Sequence, residues 1–206
     1  MENIIIQGKT TMKYTNPWEY YIEDDFLPTE LVQQLKEIEI NSDNSDCAGT
    51  RTGIPGRHFF TPNNNDIITQ TVVDHILSRK QEFERQFGYD LSNSYLRVEL
   101  AQDDEEAWLE PHLDSLDKRI TMIVYIDQDD QSMTDLGTDL YLTNDASSES
   151  VRASWRENRC LVFKPTEEKW HGVAKRSYQG RRLVLLINYV NKDTWNSVDQ
   201  VWDVDV

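Results

Sequence analysis

Cysteine is scarce in this sequence of 206 residues, and its scarcity excludes one class of fold. The two cysteines, Cys47 and Cys160, lie far apart and show no paired spacing. Small secreted scaffolds are held together by several disulfides, and zinc modules use closely spaced cysteine pairs. Because neither pattern is present, we expect a protein of a reducing compartment, with the cytoplasm as its location.

Long apolar runs are missing as well. No stretch approaches the ~20 apolar residues that a membrane-spanning helix needs. The opening MENIIIQGKTTMKYTN has neither the basic start nor the full apolar stretch of a signal peptide. We therefore expect no membrane partner.

Basic residues are outnumbered, since 21 Lys and Arg stand against 37 Asp and Glu, for a net charge of −16. Proteins that bind nucleic acid do so largely through basic contacts to phosphates. This balance argues against a nucleic-acid partner. The hydrophobic fraction of 38% suits one packed domain over residues 1–206, with a lead-in at 1–15 and a tail at 191–206.

The order of sequence patterns predicts helices first and strands afterwards. Apolar residues recur at helical spacing from Thr29 to Glu39 and from Asp66 to Phe87, and the polar, glycine-containing segment 41–65 predicts a loop. Six short segments then have the composition of strands: Ser94–Ala101, Trp108–Asp114, Ile120–Asp127, Thr138–Thr143, Arg159–Lys164 and Arg182–Tyr189. The expected fold is mainly β with flanking α, a cupin-like jelly roll buttressed by N-terminal helices.

A candidate metal site begins with His112 and Asp114. Residues two apart on a strand point to the same face, so this imidazole and this carboxylate can converge on one ion. His171 follows a later strand and supplies a third ligand. Two histidines and one carboxylate form the facial triad of non-haem Fe(II) oxygenases, which leaves coordination positions open. We predict no catalytic residues beyond these metal ligands.

A pair of arginines opens a later apolar strand, which ends at Tyr189. A buried guanidinium requires an anion, and its planar fork suits a carboxylate. Adjacent strand residues face opposite sides, and Arg182 shares its face with Asn188. The pattern favours Arg182 as the inward residue and leaves Arg181 as the alternative. A further interpretation, purely structural, pairs Arg182 with one of the many acids of the chain.

The order of these motifs resembles the Fe(II)/2-oxoglutarate-dependent dioxygenase superfamily, in its prolyl 4-hydroxylase-like branch. The resemblance covers about Trp18 to Tyr189 and rests on PWEYYIEDDFLPTELV, PHLD, ITMIVYID, LGTDLYL, LVFKP, KWHGV and GRRLVLLINY. It implies a double-stranded β-helix that binds iron through the three residues of the triad. It also implies that Arg182 or Arg181, together with Tyr125, binds the far carboxylate of 2-oxoglutarate.

The same resemblance implies a hydroxylase that uses Fe(II), 2-oxoglutarate and O2, with ascorbate as an assay additive. Its substrate would be proline, a prolyl residue or another amino acid, and its by-products succinate and CO2. Two departures narrow the branch. Ile187 and Asn188 replace the second arginine of nucleic-acid demethylases, and Asp114 is present where halogenating members carry a small residue.

The residues that bind the substrate are the least constrained by the sequence. Arg57 in the glycine-punctuated loop, Trp108 before the metal strand and Asn188 on the inward face are candidates. Phe59 and Phe60, beside Arg57, are interpreted as anchors of the loop to the core. The expected partner is a small-molecule, peptide or protein substrate. The alternatives are a cupin-like metal-binding protein without oxygenase activity, or a catalytically inactive interaction module.

Overall fold

The computed structural model describes residues 2–6, 9–40, 54, 56–60, 67–105, 107–128, 135–196 and 201–204. Within this part of the chain there are three helices and thirteen strands. The helices are α1 (Thr29–Lys36), α2 (Ile67–Ser78) and α3 (Lys80–Phe87). The strands are β1 (Glu2–Ile6), β2 (Lys9–Tyr14), β3 (Tyr20–Glu23), β4 (Arg57–Phe60), β5 (Ser94–Asp103), β6 (Leu109–His112), β7 (Lys118–Gln128), β8 (Thr138–Tyr141), β9 (Ser150–Ala153), β10 (Cys160–Phe163), β11 (Trp170–Val173), β12 (Arg182–Asn191) and β13 (Val201–Asp203).

The described strands form two antiparallel sheets. The large sheet has the order β1-β2-β3-β10-β7-β12-β5-β13, and β4 also pairs with β5. The small sheet has the order β6-β11-β8-β9. Neighbours within each sheet are mostly distant in sequence, as is typical of a jelly roll. The predicted fold class, mainly β with N-terminal helices, is confirmed.

Alternation along the central strands β5, β7 and β12 separates an apolar core from a polar cleft. On β12, Leu183, Leu185 and Ile187 are buried in the core that also contains the helices. The intervening residues, Arg182 and Asn188 among them, line a cavity on the opposite face. Since strand side chains alternate between faces, one sheet supplies both environments.

The helices cover the apolar face of the large sheet. α1 contacts β7 and α2 contacts β5, with Leu31, Val72 and Ile76 almost completely buried. The cost of exposing this area to water holds the helices on the sheet. Among the described helices, none is both long and apolar enough for a bilayer crossing.

The predicted helix from Asp66 to Phe87 is wrong in its continuity, because the chain breaks at Arg79 into α2 and α3. Arg79 has a φ of −101° and a ψ of 4°. Its guanidinium binds the carboxylate of Glu23 at 2.7 Å, and its Nε donates to Glu82 at 3.0 Å. A buried cation needs these anions, and Glu23 lies on another element, β3.

Other boundaries also differ from the sequence prediction, among them that of β6, which ends at His112 instead of Asp114. The first helix ends at Lys36 instead of Glu39, and the segment predicted as a loop contains β4, which pairs with β5. Phe59 on β4 is buried, as the anchoring interpretation requires. Most of the predicted loop, with Cys47, lies outside the described residues.

The pairing of β6 with β11 brings two histidines together. His171 lies opposite His112, and the register shifts between His171 and Val173. Gly172 occupies this shift, where an added Cβ would lie 2.5 Å from the carbonyl oxygen of Leu109. Backbone atoms at that distance cannot be displaced cheaply, so the close approach of the two strands requires glycine.

We predict that Gly172→Ala lowers the free energy of unfolding by about 1–3 kcal/mol, because the methyl group pushes β6 away from β11. The same displacement should separate the two imidazoles and weaken the binding of divalent metal. Urea denaturation and calorimetric metal titration measure the two effects.

Gly88→Ala is the matched control, because Gly88 also carries a positive φ, of 67°, but an added Cβ there meets no atom within 4 Å. It should reduce stability only through backbone strain, by about 1 kcal/mol, and leave metal affinity unchanged. Equal metal affinity in both variants would contradict the role given to Gly172.

Candidate metal centre

Three side chains from two separate parts of the chain converge at one end of the cleft. Ligand atoms of His112, Asp114 and His171 all lie within 4.8 Å of one another. Nε2 of His171 is 3.9 Å from Oδ2 of Asp114, and the two imidazole centroids are 4.4 Å apart. This arrangement can hold one metal ion between two nitrogens and one oxygen.

Backbone carbonyls orient both imidazoles. Nδ1 of His112 lies 3.0 Å from the carbonyl oxygen of Glu110, and Nδ1 of His171 lies 3.0 Å from that of Lys169. A neutral imidazole that donates from Nδ1 presents the lone pair of Nε2. Each histidine therefore directs Nε2 to the space shared with Asp114.

The protonation states also suit a metal. Burial, together with the nearby His171, lowers the pKa of His112 to about 4. Burial also lowers the pKa of His171, although the Asp114 carboxylate acts in the opposite direction. Burial would raise the pKa of Asp114, but Lys118 and His171 outweigh it and hold that pKa below its usual range. Two neutral imidazoles and one carboxylate are the donor set of a non-haem Fe(II) site.

Neighbouring polar groups hold the Asp114 carboxylate in place. Lys118 pairs with Oδ1, and the hydroxyl of Thr121 donates to Oδ2 at 2.6 Å. The amide of Asn188 donates in turn to the Thr121 oxygen at 3.1 Å. Such outer contacts orient a metal ligand before the metal binds.

The triad opens into a cavity of about 550 Å³, its open mouth included. Its apolar wall comes from both sheets and consists of Leu109, Ile123, Val173, Val184 and Leu186. A lining that combines apolar side chains with a few polar and charged groups is typical of small-molecule sites.

A shared carboxylate leaves one positive charge in excess in the cavity wall. Nη1 of Arg182 donates to Oδ2 of Asp103 at 2.6 Å, and Nη2 of Arg57 donates to the same oxygen at 2.7 Å. Burial would raise the pKa of Asp103, but the two guanidinium charges outweigh it and lower that pKa. Arg182 thus has an acid partner in the chain, as the structural interpretation expected. Two cations on one anion still leave a charge that an anionic ligand can neutralise.

The second arginine lies elsewhere. Arg181 donates to the carbonyl oxygen of Lys36 at 2.8 Å and to Asp127 at 3.1 Å, beside α1. Arg182 and Thr138, in contrast, line the cavity.

Tyr125 is fully buried and does not line the cavity. Its hydroxyl lies 3.0 Å from the carbonyl oxygen of Ala153 and accepts from the backbone N–H of Thr138 at 3.1 Å. Its predicted contact with 2-oxoglutarate stays a prediction, and Thr138 is the hydroxyl that faces the cavity.

The substrate candidates are placed unequally. Asn188 lines the cavity next to the triad, and Arg57 lines it at the Arg182 end, on β4 and not on a loop. Trp108 is half-buried and does not line the cavity in the described structure. Only their positions are given by the structure, so their roles stay predictions.

Sequence reasoning missed several residues of the cavity and its support. Asp103 lies two residues beyond the predicted end of its strand at Ala101. The alternation of side chains along the strand was therefore not extended to it, and its inward orientation was not predicted. Arg97 and Glu99 lie inside that predicted strand, two residues apart, and their shared face was the available signal. Thr138, the first residue of β8, carried no comparable signal.

Comparison with known proteins agrees with this geometry. Residues 98–190, which contain the whole triad, match the model of the 2OG-Fe(II) oxygenase superfamily. No curated protein sequence matches the chain significantly.

Solved structures share the fold. A Pseudomonas putida prolyl-4-hydroxylase aligns with a TM-score of 0.62 and 16% identity over 84% of this chain and 92% of its own. A prolyl hydroxylase from Trichoplax adhaerens, in complex with a hypoxia inducible factor peptide, has a TM-score of 0.56 and 16% identity over 84% of each chain. HygX from Streptomyces hygroscopicus, with nickel and 2-oxoglutarate bound, has a TM-score of 0.54 and 14% identity over 84% of this chain and 82% of its own.

The superfamily match and the metal geometry cover the same part of the chain. The solved structures independently show the double-stranded β-helix that the sequence resemblance implies. Residues 98–190 therefore belong to the 2OG-Fe(II) oxygenase superfamily, which confirms the resemblance seen in the sequence.

Proposed function

We propose that this dioxygenase hydroxylates a C–H bond of proline, a prolyl residue or another amino acid, with 2-oxoglutarate as co-substrate. One observation carries the proposal: the triad and the excess guanidinium charge lie in the walls of one cavity. A ferrous ion and a dicarboxylate are the two groups that such a cavity can hold together.

His112, Asp114 and His171 would hold the Fe(II). When bound, the ion supplies the redox chemistry that couples O2 and 2-oxoglutarate to hydroxylation. The chain supplies ligand orientation, through the backbone carbonyls behind both imidazoles and through Lys118 and Thr121 beside Asp114.

Arg182 and Thr138 would hold the far carboxylate of 2-oxoglutarate. Arg57 and Arg182 share the single negative charge of Asp103, so one positive charge remains at this end of the cavity and favours an anion. Thr138 lines the same end and can donate a hydrogen bond to that anion. The apolar wall between this end and the triad suits the methylene groups of the co-substrate and limits water in the cavity.

The reaction balances without a further reductant. One oxygen atom of O2 enters succinate as CO2 leaves 2-oxoglutarate, and the other becomes the hydroxyl group of the product. Succinate therefore reports turnover. Ascorbate would serve in assays to keep the iron ferrous.

The rival functions predict different results. A cupin-like metal protein would bind metal at the triad and leave 2-oxoglutarate unchanged, and an inactive interaction module would need neither ligand. Neither rival accounts for a second guanidinium at the shared carboxylate of Asp103. Succinate formation from 2-oxoglutarate, Fe(II) and O2 separates them from a dioxygenase.

We predict that Asp114→Ala abolishes succinate formation, because it removes one of three metal ligands. Loss of a group that merely supports a ligand costs about 10–100-fold in metal affinity or activity, so loss of the ligand itself should exceed that range. The measurements are succinate yield and calorimetric metal affinity.

Asp145→Ala, which removes an exposed acid on a distant loop, is the control and should leave both values unchanged. Unchanged turnover in Asp114→Ala would refute the triad.

For the co-substrate end, we predict that Arg182→Ala raises the KM for 2-oxoglutarate by about 10–100-fold, the range expected for loss of a charge-assisted contact. Arg181→Ala should leave that KM unchanged, because Arg181 contacts α1 and Asp127. Metal titration shows whether each variant keeps its site. A raised KM in Arg181→Ala alone would reverse the assignment.

A further inference from the structure

The cavity is more basic than the protein around it. Among its lining residues in the described part of the chain, four are basic and one, Asp114, is acidic. The four basic residues are Arg57, Arg97, Lys118 and Arg182. In a chain of net charge −16, this concentration of cations indicates anionic ligands.

Three of these cations already have a use. Arg57 and Arg182 share Asp103 at the co-substrate end, and Lys118 pairs with the metal ligand Asp114. Arg97 belongs to neither group, so the proposed binding of iron and 2-oxoglutarate leaves it unexplained.

Arg97 is buried beside one acid of the described residues, Glu99, and has more donors than one carboxylate can accept. It is 6% exposed, and Glu99 on the same strand lies close enough to balance its charge. Its Nη2 is the atom that pairs with Oε2 of Glu99, and within the described part of the chain Nε and Nη1 make no hydrogen bond. A guanidinium has five N–H donors in a planar fork, and leaving them unsatisfied in a buried position is costly.

The strand register places Arg97 beside the metal ligands. Arg97 lies opposite Asn188, and Asn188 lies opposite Thr121, which donates to Asp114. Adjacent strands are ~4.8 Å apart, so Arg97 lies about 10 Å from Thr121 at the level of their backbones. The side chains of Arg97 and Asp114 line the same cavity.

The indole of Trp195 fixes the guanidinium. Its ring centroid is 5.4 Å from Cζ of Arg97, a cation–π distance. Trp195 follows β12, so the chain beyond this strand packs over the residue. An arginine held in this way is pre-organised for a planar, bidentate anion.

We propose that Arg97 binds the carboxylate of the substrate, and that the substrate is a free amino acid and not an internal residue of a peptide. This inference rests on the dioxygenase function proposed above. A peptide bond in the same position offers one carbonyl oxygen and no charge, whereas a carboxylate matches the fork of Arg97 in both shape and sign.

The test compares free amino acids with their C-terminal amides, which differ only in the carboxylate. The twenty free amino acids, their amides and proline-containing blocked peptides are assayed for stimulation of succinate formation by the wild-type enzyme. We expect a free acid to stimulate turnover and its amide and the peptides not to do so. Equal stimulation by the amide or by a peptide, or no stimulation by any free acid, would overturn the inference.

Arg97→Gln should raise the KM for the stimulating amino acid by about 10–100-fold. It should also reduce the difference in succinate formation between that amino acid and its amide. Its affinity for 2-oxoglutarate, measured by calorimetry on the Mn(II)-loaded protein, should stay unchanged. Arg85→Gln removes an exposed arginine of α3 and serves as the charge-matched control. An unchanged KM in Arg97→Gln would contradict the assignment.

Arg97→Gln leaves the Glu99 carboxylate without its cation and can destabilise the fold. The double variant Arg97→Gln/Glu99→Gln removes both charges and should fold, bind 2-oxoglutarate and still lose the preference for the acid. If the double variant keeps that preference, Arg97 is not the anchor. Failure of the wild-type enzyme to form succinate from 2-oxoglutarate would instead refute the dioxygenase function.

Discussion

The site depends on the pairing of two four-residue strands, β6 and β11. Their register sets His112 opposite His171, and their carbonyl groups hold both rings with Nε2 directed inward. Gly172 makes this possible, because a side chain there would meet the backbone of β6. The large sheet adds the remaining parts through side chains that reach across the cleft. The small sheet therefore positions the two histidines of the candidate metal site, and the large sheet supplies Thr121, Arg182 and Asn188 to the same cavity.

The large sheet can serve the site because each central strand has two unlike faces. Its outer face carries the aliphatic residues that pack against the helices. Burial of this apolar area stabilises the fold. Its inner face carries arginines backed by acids, Arg182 with Asp103 and Arg97 with Glu99. Each acid lowers the cost of burying its arginine, and a guanidinium has more donors than one carboxylate accepts. Stability and binding are thus assigned to alternate residues of the same strands.

Period-two spacing made much of the molecule predictable. It separates Arg182 from Arg181, whose contacts in the structure differ accordingly. The predicted strand that held both His112 and Asp114 ends at His112, but the two side chains still converge. Features that depend on long-range contacts were not predictable. Arg79, where the helix breaks, pairs with Glu23 more than fifty residues away in sequence, and Asp103 meets Arg182 through the pairing of β5 with β12. The hydrophobic pattern of a strand shows which face a residue occupies, but not which side chain from another element it contacts.

β4 brings a residue from outside the superfamily-matched segment into the cavity wall. The segment that matches the superfamily, 98–190, contains every metal ligand and Arg182. Arg57 comes from outside that segment, on a strand added to the edge of β5. The three residues of the candidate metal site and one of the two arginines that share Asp103 are therefore encoded in different stretches of the chain. Substitutions on β4 can therefore change the charge beside Asp103 while His112, Asp114 and His171 stay as they are.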